Sequence, residues 1–89
     1  MKIVEIDGRE MHSKVCAHSH IKKVMEFPEY YGENLDALWD LLSTISLPTT
    51  IRLQHREALI ESLGAYGEQL IDVLREAAFE NDALWIEIQ

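Results

Sequence analysis

The stretch PEYYGENLDALWD, residues 28–40, predicts a loop followed by the start of an amphipathic helix. Pro28 ends any preceding helix, because the residue before a proline is pushed out of the helical region. Asn34 is predicted to cap a new helix that ends near Ser43. The apolar positions of this helix recur at helical spacing and are Leu35, Leu38, Trp39 and Leu42. One face of the helix is therefore predicted to pack on a core.

The opposite face of this helix carries two aspartates, Asp36 and Asp40, one turn apart. Two like charges at this spacing cost a few tenths of a kcal/mol. An acid in the first turn complements the helix dipole, which explains Asp36, whereas Asp40 lies near the carbonyl end, where a cation is preferred. Side chains that oppose local stability without a local gain indicate binding or catalysis. A merely solvated acidic face is the alternative.

A second acidic row is predicted on a longer helix from about Gly67 to Glu80. Asp72, Glu76 and Glu80 follow one another at intervals of four residues, and Arg75 is the one cation nearby. A solvated face is again the alternative. If the two acidic helices are neighbours, they form a negative ridge that can meet a basic groove.

The remaining segments alternate between strands and helices. Strands are predicted at 3–6, 50–53 and 84–88, and further helices at about 13–25 and 55–63, the first capped by Ser13 and the second stopped by Gly64. Strands joined through helices are parallel neighbours. The predicted fold class is α/β, a three-stranded parallel sheet packed against four helices, in a single domain, 1–89. Core positions expected on the first and last helices are Ala17, Ile21, Val24, Met25, Leu70, Ile71, Leu74, Ala77 and Ala78.

The composition is acidic, with 16 Asp and Glu against 8 Lys and Arg and a net charge of -8. This charge disfavours nucleic acid and anionic membranes and favours a basic partner. No apolar run approaches the roughly 20 residues that span a bilayer. The single cysteine, Cys16, forms no internal disulfide and is expected to be a small buried side chain. The predicted location is therefore cytoplasmic.

No phosphate-binding glycine loop, zinc motif or nucleophile motif is present. His18 and His20 point to different sides of a helix and do not clasp one metal. The carboxylate rows lack the looped carbonyls of a calcium cage, which leaves weak surface binding of a cation as the alternative. No cofactor and no dedicated metal site are predicted. A carboxylate-dependent hydrolase, with Asp36 and Asp40 as acid and base, is a further alternative.

Residues 28–40 closely resemble the barstar family, intracellular protein inhibitors of secreted barnase-type ribonucleases. A looser similarity covers the rest of the chain: Asp7-Gly8 beside the first strand, Pro48 before the second, and Arg75-Glu76-Ala77 with Glu80 in the last helix. The family's fold, a three-stranded parallel sheet with four helices, agrees with the predicted order of elements.

The resemblance implies an inhibitor, not an enzyme, whose acids replace substrate phosphates in the basic active site of one ribonuclease molecule. It implies that Asp40 is the central phosphate mimic, that Asp36 and Glu80 pair with other cations, and that Glu76 makes a lesser contact. The other partner-binding residues it implies are Tyr30, Tyr31, Asn34, Leu35, Trp39, Ser43 and Thr44. The two tyrosines either pack on the domain or contact the partner, and Leu35 and Trp39 also fit the core stripe.

The chain departs from the family pattern after the acidic helix. Barstar has a glycine and then a tryptophan after its threonine, where this chain has Ser43-Thr44-Ile45. An aromatic contact is absent there, and a β-branched residue replaces a flexible turn. The alternative function is accordingly a barstar-shaped interaction module that binds another basic protein or toxin.

Overall fold

The computed structural model describes residues 2–89 and confirms the predicted α/β class, with three strands and four α-helices. The strands are β1 (Lys2–Asp7), β2 (Thr49–Gln54) and β3 (Leu84–Ile88). The helices are α1 (Lys14–Met25), α2 (Leu35–Ser43), α3 (Arg56–Leu63) and α4 (Ala65–Glu80). A short 3-10 turn, Gly8–Glu10, follows β1, where the sequence predicts a turn at Asp7-Gly8.

The three strands form one parallel sheet in the order β1-β2-β3, with β2 in the centre. Successive side chains of a strand alternate between the two faces of a sheet. One face is therefore apolar and buried in the core, and it carries Val4, Ile6, Ile51 and Leu53. The opposite face is more polar, and there Arg52 Nε donates to Glu87 Oε1 at 3.1 Å.

Two predicted N-caps fix the starts of α1 and α2. Ser13 Oγ accepts a hydrogen bond from the Cys16 amide at 3.1 Å, and Asn34 Oδ1 accepts one from the Ala37 amide at 2.7 Å. Each bond satisfies an amide that has no partner within its helix. These contacts confirm both caps.

The junction between α3 and α4 is tighter than the sequence predicts. Gly64 has φ 56° and separates the two helices by itself, so α4 begins at Ala65, two residues before the predicted start. Gly67 therefore lies inside the helix, where a Cβ would come within 3.1 Å of the Leu59 carbonyl oxygen. A glycine at this position permits α3 and α4 to approach closely.

Most predicted core positions of α1 and α4 are buried, and three predictions need correction. Val24 and Ala78 are only partly buried. Cys16 is exposed, contrary to the expectation of a buried thiol. The reason is helical geometry: the buried face of α1 contains Ala17, Ile21 and Met25, and Cys16 lies to one side of it.

Candidate protein-binding surface

The acidic helix α2 is held with its carboxylates outward. Leu38 and Leu42 are fully buried and fix the rotation of the helix about its axis. Asp36 and Asp40 consequently lie on the exposed side. The cap at Asn34 fixes the start of α2, and the Asn34 side-chain amide also donates to the Gly32 carbonyl at 3.2 Å. Asn34 therefore holds both the end of the preceding loop and the first turn of α2.

The two acidic helices are neighbours, an arrangement that the sequence could not establish. The Asn81 side-chain amide, just after α4, donates to the Leu42 and Ile45 carbonyls at 2.9 Å each and ties the ends of the helices together. A cavity of about 500 Å³ lies between them and is lined by Trp39, Arg75, Glu76, Phe79 and Glu80. The structure thus brings Trp39 of α2 together with Glu76 and Glu80 of α4.

Four carboxylates on these helices have no cationic partner among residues 2–89. Asp36, Asp40, Glu76 and Glu80 are all exposed, and within residues 2–89 none of them forms a salt bridge or a side-chain hydrogen bond. The chain has no Lys or Arg between Lys23 and Arg52. These negative charges are therefore available to cations from outside the molecule.

The two adjacent tyrosines have different environments. Tyr31 is 4% exposed, and its ring centroid lies 4.9 Å from that of Phe27. Tyr30 is 80% exposed. Of the two alternatives raised by the sequence, packing on the domain applies to Tyr31. Tyr30 offers its surface to solvent, and its contact with a partner stays a prediction.

A buried histidine, whose role the sequence-level reasoning missed, holds this loop. His18 Nδ1 lies 2.6 Å from the Tyr31 hydroxyl, and His18 Nε2 lies 2.6 Å from the Tyr66 hydroxyl at the start of α4. A neutral imidazole has one donor and one acceptor, so one tyrosine donates to the ring and the other accepts. Burial lowers the pKa of His18 and raises the pKa of both tyrosines. The network therefore joins α1, the tyrosine loop and α4 without a net charge.

The signal for this role is present in the sequence. His18 stands three residues before Ile21 and seven before Met25, on the core-facing side of α1. A polar ring at such a position requires a buried partner. The partners themselves, 13 and 48 residues away, are visible only in the fold.

The other predicted contact residues lie on the exposed end and one flank of α2. Leu35 and Trp39 are half-buried and pack partly on the core, so neither is wholly core nor wholly surface. Ser43 and Thr44 are exposed. The Ser43 hydroxyl donates to the Trp39 carbonyl and the Thr44 hydroxyl to the Leu41 carbonyl, at 2.8 Å each.

Comparisons with known proteins agree with this architecture. A family model described as "Barstar (barnase inhibitor)" matches residues 1–89. The chain belongs to the barstar family. It is also 40% identical, over 81 residues, to a Bacillus subtilis (strain 168) protein named "Putative ribonuclease inhibitor YrdF"; the match covers 90% of this chain and 89% of that protein.

Within residues 2–89, no group of three or more His, Cys, Asp or Glu side chains is arranged to hold a metal ion. In the same part of the chain, no helix combines the length and the apolar character needed to cross a membrane.

Proposed function

We propose that this chain is a stoichiometric inhibitor that binds and occludes the basic active site of a barnase-type extracellular ribonuclease. Its acidic surface consists of four of the exposed carboxylates of α2 and α4, those of Asp36, Asp40, Glu76 and Glu80. In the inhibited nuclease they take the positions that the phosphates of bound RNA would otherwise occupy. The chain acts without turnover, as one inhibitor per nuclease molecule, in the cytoplasm.

The observation that carries the proposal is the set of unpaired carboxylates on two neighbouring helices. Asp36 and Asp40 stand one turn apart on α2, and Glu76 and Glu80 stand one turn apart on α4, so each pair of like charges costs the free domain a few tenths of a kcal/mol. In a basic cleft the same carboxylates would be attracted to cations, because complementary surface potentials steer association and fix the orientation of the partners. Membership of the barstar family and similarity to a protein named as a ribonuclease inhibitor support a ribonuclease as the source of that cleft.

The apolar groups beside the acids support a specific contact in addition to general attraction. Tyr30 is exposed, and Leu35 and Trp39 are half-buried next to the acidic side of α2. Aromatic side chains at the centre of an interface exclude water and strengthen nearby charge pairs. In this proposal Tyr31 acts from the interior, by holding the loop that presents Tyr30.

The proposal is tested by titrating a purified barnase-type ribonuclease with the chain in a calorimeter. Asp40→Ala is expected to weaken binding by about 2 to 5 kcal/mol, the range for truncating one member of a buried charge pair; the barnase–barstar complex is among the systems behind that range, so it is not an independent estimate. The control is Glu61→Ala on α3, an exposed acid whose loss changes the net charge equally. If both variants bind as tightly as the unmodified chain, Asp40 has no phosphate-mimicking role.

A second candidate function is a barstar-shaped module that binds another basic protein or toxin. The residue that favours it is Ile45, which occupies the place of the family's tryptophan and is half-buried, with its carbonyl bound by Asn81. Capturing partners on the immobilised chain, releasing them with denaturant and assaying the refolded protein on RNA separates the two functions. Ribonuclease activity in the released fraction supports the inhibitor, and its absence supports the module.

A further inference from the structure

A second cavity, of about 360 Å³, opens where the tyrosine loop meets the end of α2 and the start of the sheet. Its volume falls within the range of pockets that bind small molecules or side chains. Six of the side chains that line it are Val4, Met25, Phe27, Tyr30, Thr44 and Leu47. The carboxylates of the acidic surface do not line it.

The cavity has an apolar floor and an apolar, exposed rim. Val4 and Met25 are buried below, while Tyr30 is 80% and Leu47 is 72% exposed above. Large apolar side chains left in water around a concave site are a common mark of a binding surface. The charged group at this site, Lys2, is already paired with Glu26 at 3.1 Å. The chemistry of the cavity therefore suits an uncharged apolar group.

We propose that this cavity receives an apolar side chain of the same ribonuclease whose basic site is occluded by the acidic surface. The inference rests on the proposed function. Thr44, the C-cap of α2, lines the cavity and stands four residues, about one helical turn, after Asp40, so the cavity adjoins the acidic surface. A second copy of the chain is a poorer occupant, because each copy carries a net charge of -8 and the two repel.

The cavity and the acidic surface would contribute to binding in physically different ways. Contacts between charges weaken as salt screens them. Burial of apolar area is not screened in this manner and depends on the area removed from water. Loss of an apolar contact at the cavity should therefore lower the affinity by the same factor at low and at high salt, whereas loss of Asp40 should matter most at low salt.

The test compares Leu47→Ser with Val15→Ser in calorimetric titrations against purified barnase. Val15, on α1, is also 72% exposed and lines none of the cavities described above, so the two variants remove a similar apolar side chain from similarly exposed positions. We expect Leu47→Ser to weaken binding by about tenfold at both about 50 mM and about 500 mM salt, and Val15→Ser to change it by less than about twofold. Melting temperatures of both variants show whether the fold is retained.

The outcomes separate this inference from the proposed function. If Asp40→Ala weakens binding and Leu47→Ser does not, the cavity proposal is overturned and the inhibitor remains. If the unmodified chain binds no ribonuclease, both are overturned. If Leu47→Ser leaves ribonuclease binding unchanged but abolishes a dimer seen by sedimentation, the occupant is a second copy and the proposal is wrong.

Discussion

Replacing Tyr31 by phenylalanine tests the buried network that holds the tyrosine loop. The change removes one hydroxyl and keeps the ring that packs on Phe27. His18 Nδ1 loses its partner at 2.6 Å in a position where the residue is only 1% exposed, so water does not readily replace it. A buried polar group left without a partner costs about 1 to 3 kcal/mol. The free energy of unfolding should fall by that amount.

The neighbouring tyrosine provides the control for this change. Tyr30→Phe makes the same chemical change at an 80% exposed position, where no hydrogen bond of the hydroxyl is found within residues 2–89, and should alter stability by less than about 0.5 kcal/mol. Urea unfolding followed by tryptophan fluorescence at about pH 7.5, where the imidazole is neutral, measures both. Equal losses in the two variants, or none in Tyr31→Phe, would refute the assigned role of the network.

Three other changes have defined outcomes. Burial lowers the pKa of His18 below its usual 6.5, so the unfolded chain binds a proton more readily than the folded one. The stability present above about pH 6.5 should therefore be lost as the pH falls below that value. Urea unfolding midpoints measured against pH should show this loss, and His18→Gln should make the midpoint less dependent on pH. The Arg9 guanidinium lowers the pKa of Asp7 from 3.8 to about 2, so the stability that the Asp7 carboxylate contributes is lost only as the pH falls below 3.8, separately from the loss due to His18. Asn34→Ala should cost about 1 kcal/mol by removing the α2 cap, measured by urea unfolding. Asp40→Asn should raise the melting temperature of the free domain slightly, because it relieves a repulsion of a few tenths of a kcal/mol; a fall would show that this acid serves the fold.

Local signals in the sequence were sufficient to predict the fold. The caps at Ser13 and Asn34 and the stop at Gly64 depend on contacts within a few residues, and the structure contains all three. The parallel sheet followed from strands joined through helices. The start of α4 was predicted two residues late because a glycine at 67 resembles a boundary, whereas its role is close packing against Leu59.

Long-range contacts decided what the sequence could not predict about the candidate surface. The ends of the two acidic helices are joined by Asn81, whose side chain donates to carbonyls 36 and 39 residues earlier in the chain. The division of roles between Tyr30 and Tyr31 depends on His18 and on the packing of α1 against the loop. Neither relation leaves a periodic pattern in the sequence, so the residue types were predicted but their arrangement was not.

The roles of the individual acids remain predictions, and the chain offers a clear way to rank them. Asp40 and Glu80 both lie in the last turn of their helices, where the helix dipole disfavours a negative charge. Asp36 lies in the first turn, where the dipole favours it. Asp40 and Glu80 therefore contribute less to helix stability than Asp36 does, and a role in binding is the stronger prediction for these two acids.

The most direct test of the central claim is the activity of a barnase-type ribonuclease on RNA in the presence of increasing amounts of the unmodified chain. If the unpaired carboxylates of α2 and α4 occlude the active site, activity should fall linearly and vanish near an equimolar ratio. Combined Asp40→Ala and Glu80→Ala replacement should remove this endpoint at the same concentrations. Full ribonuclease activity in the presence of a large excess of the unmodified chain would contradict the claim.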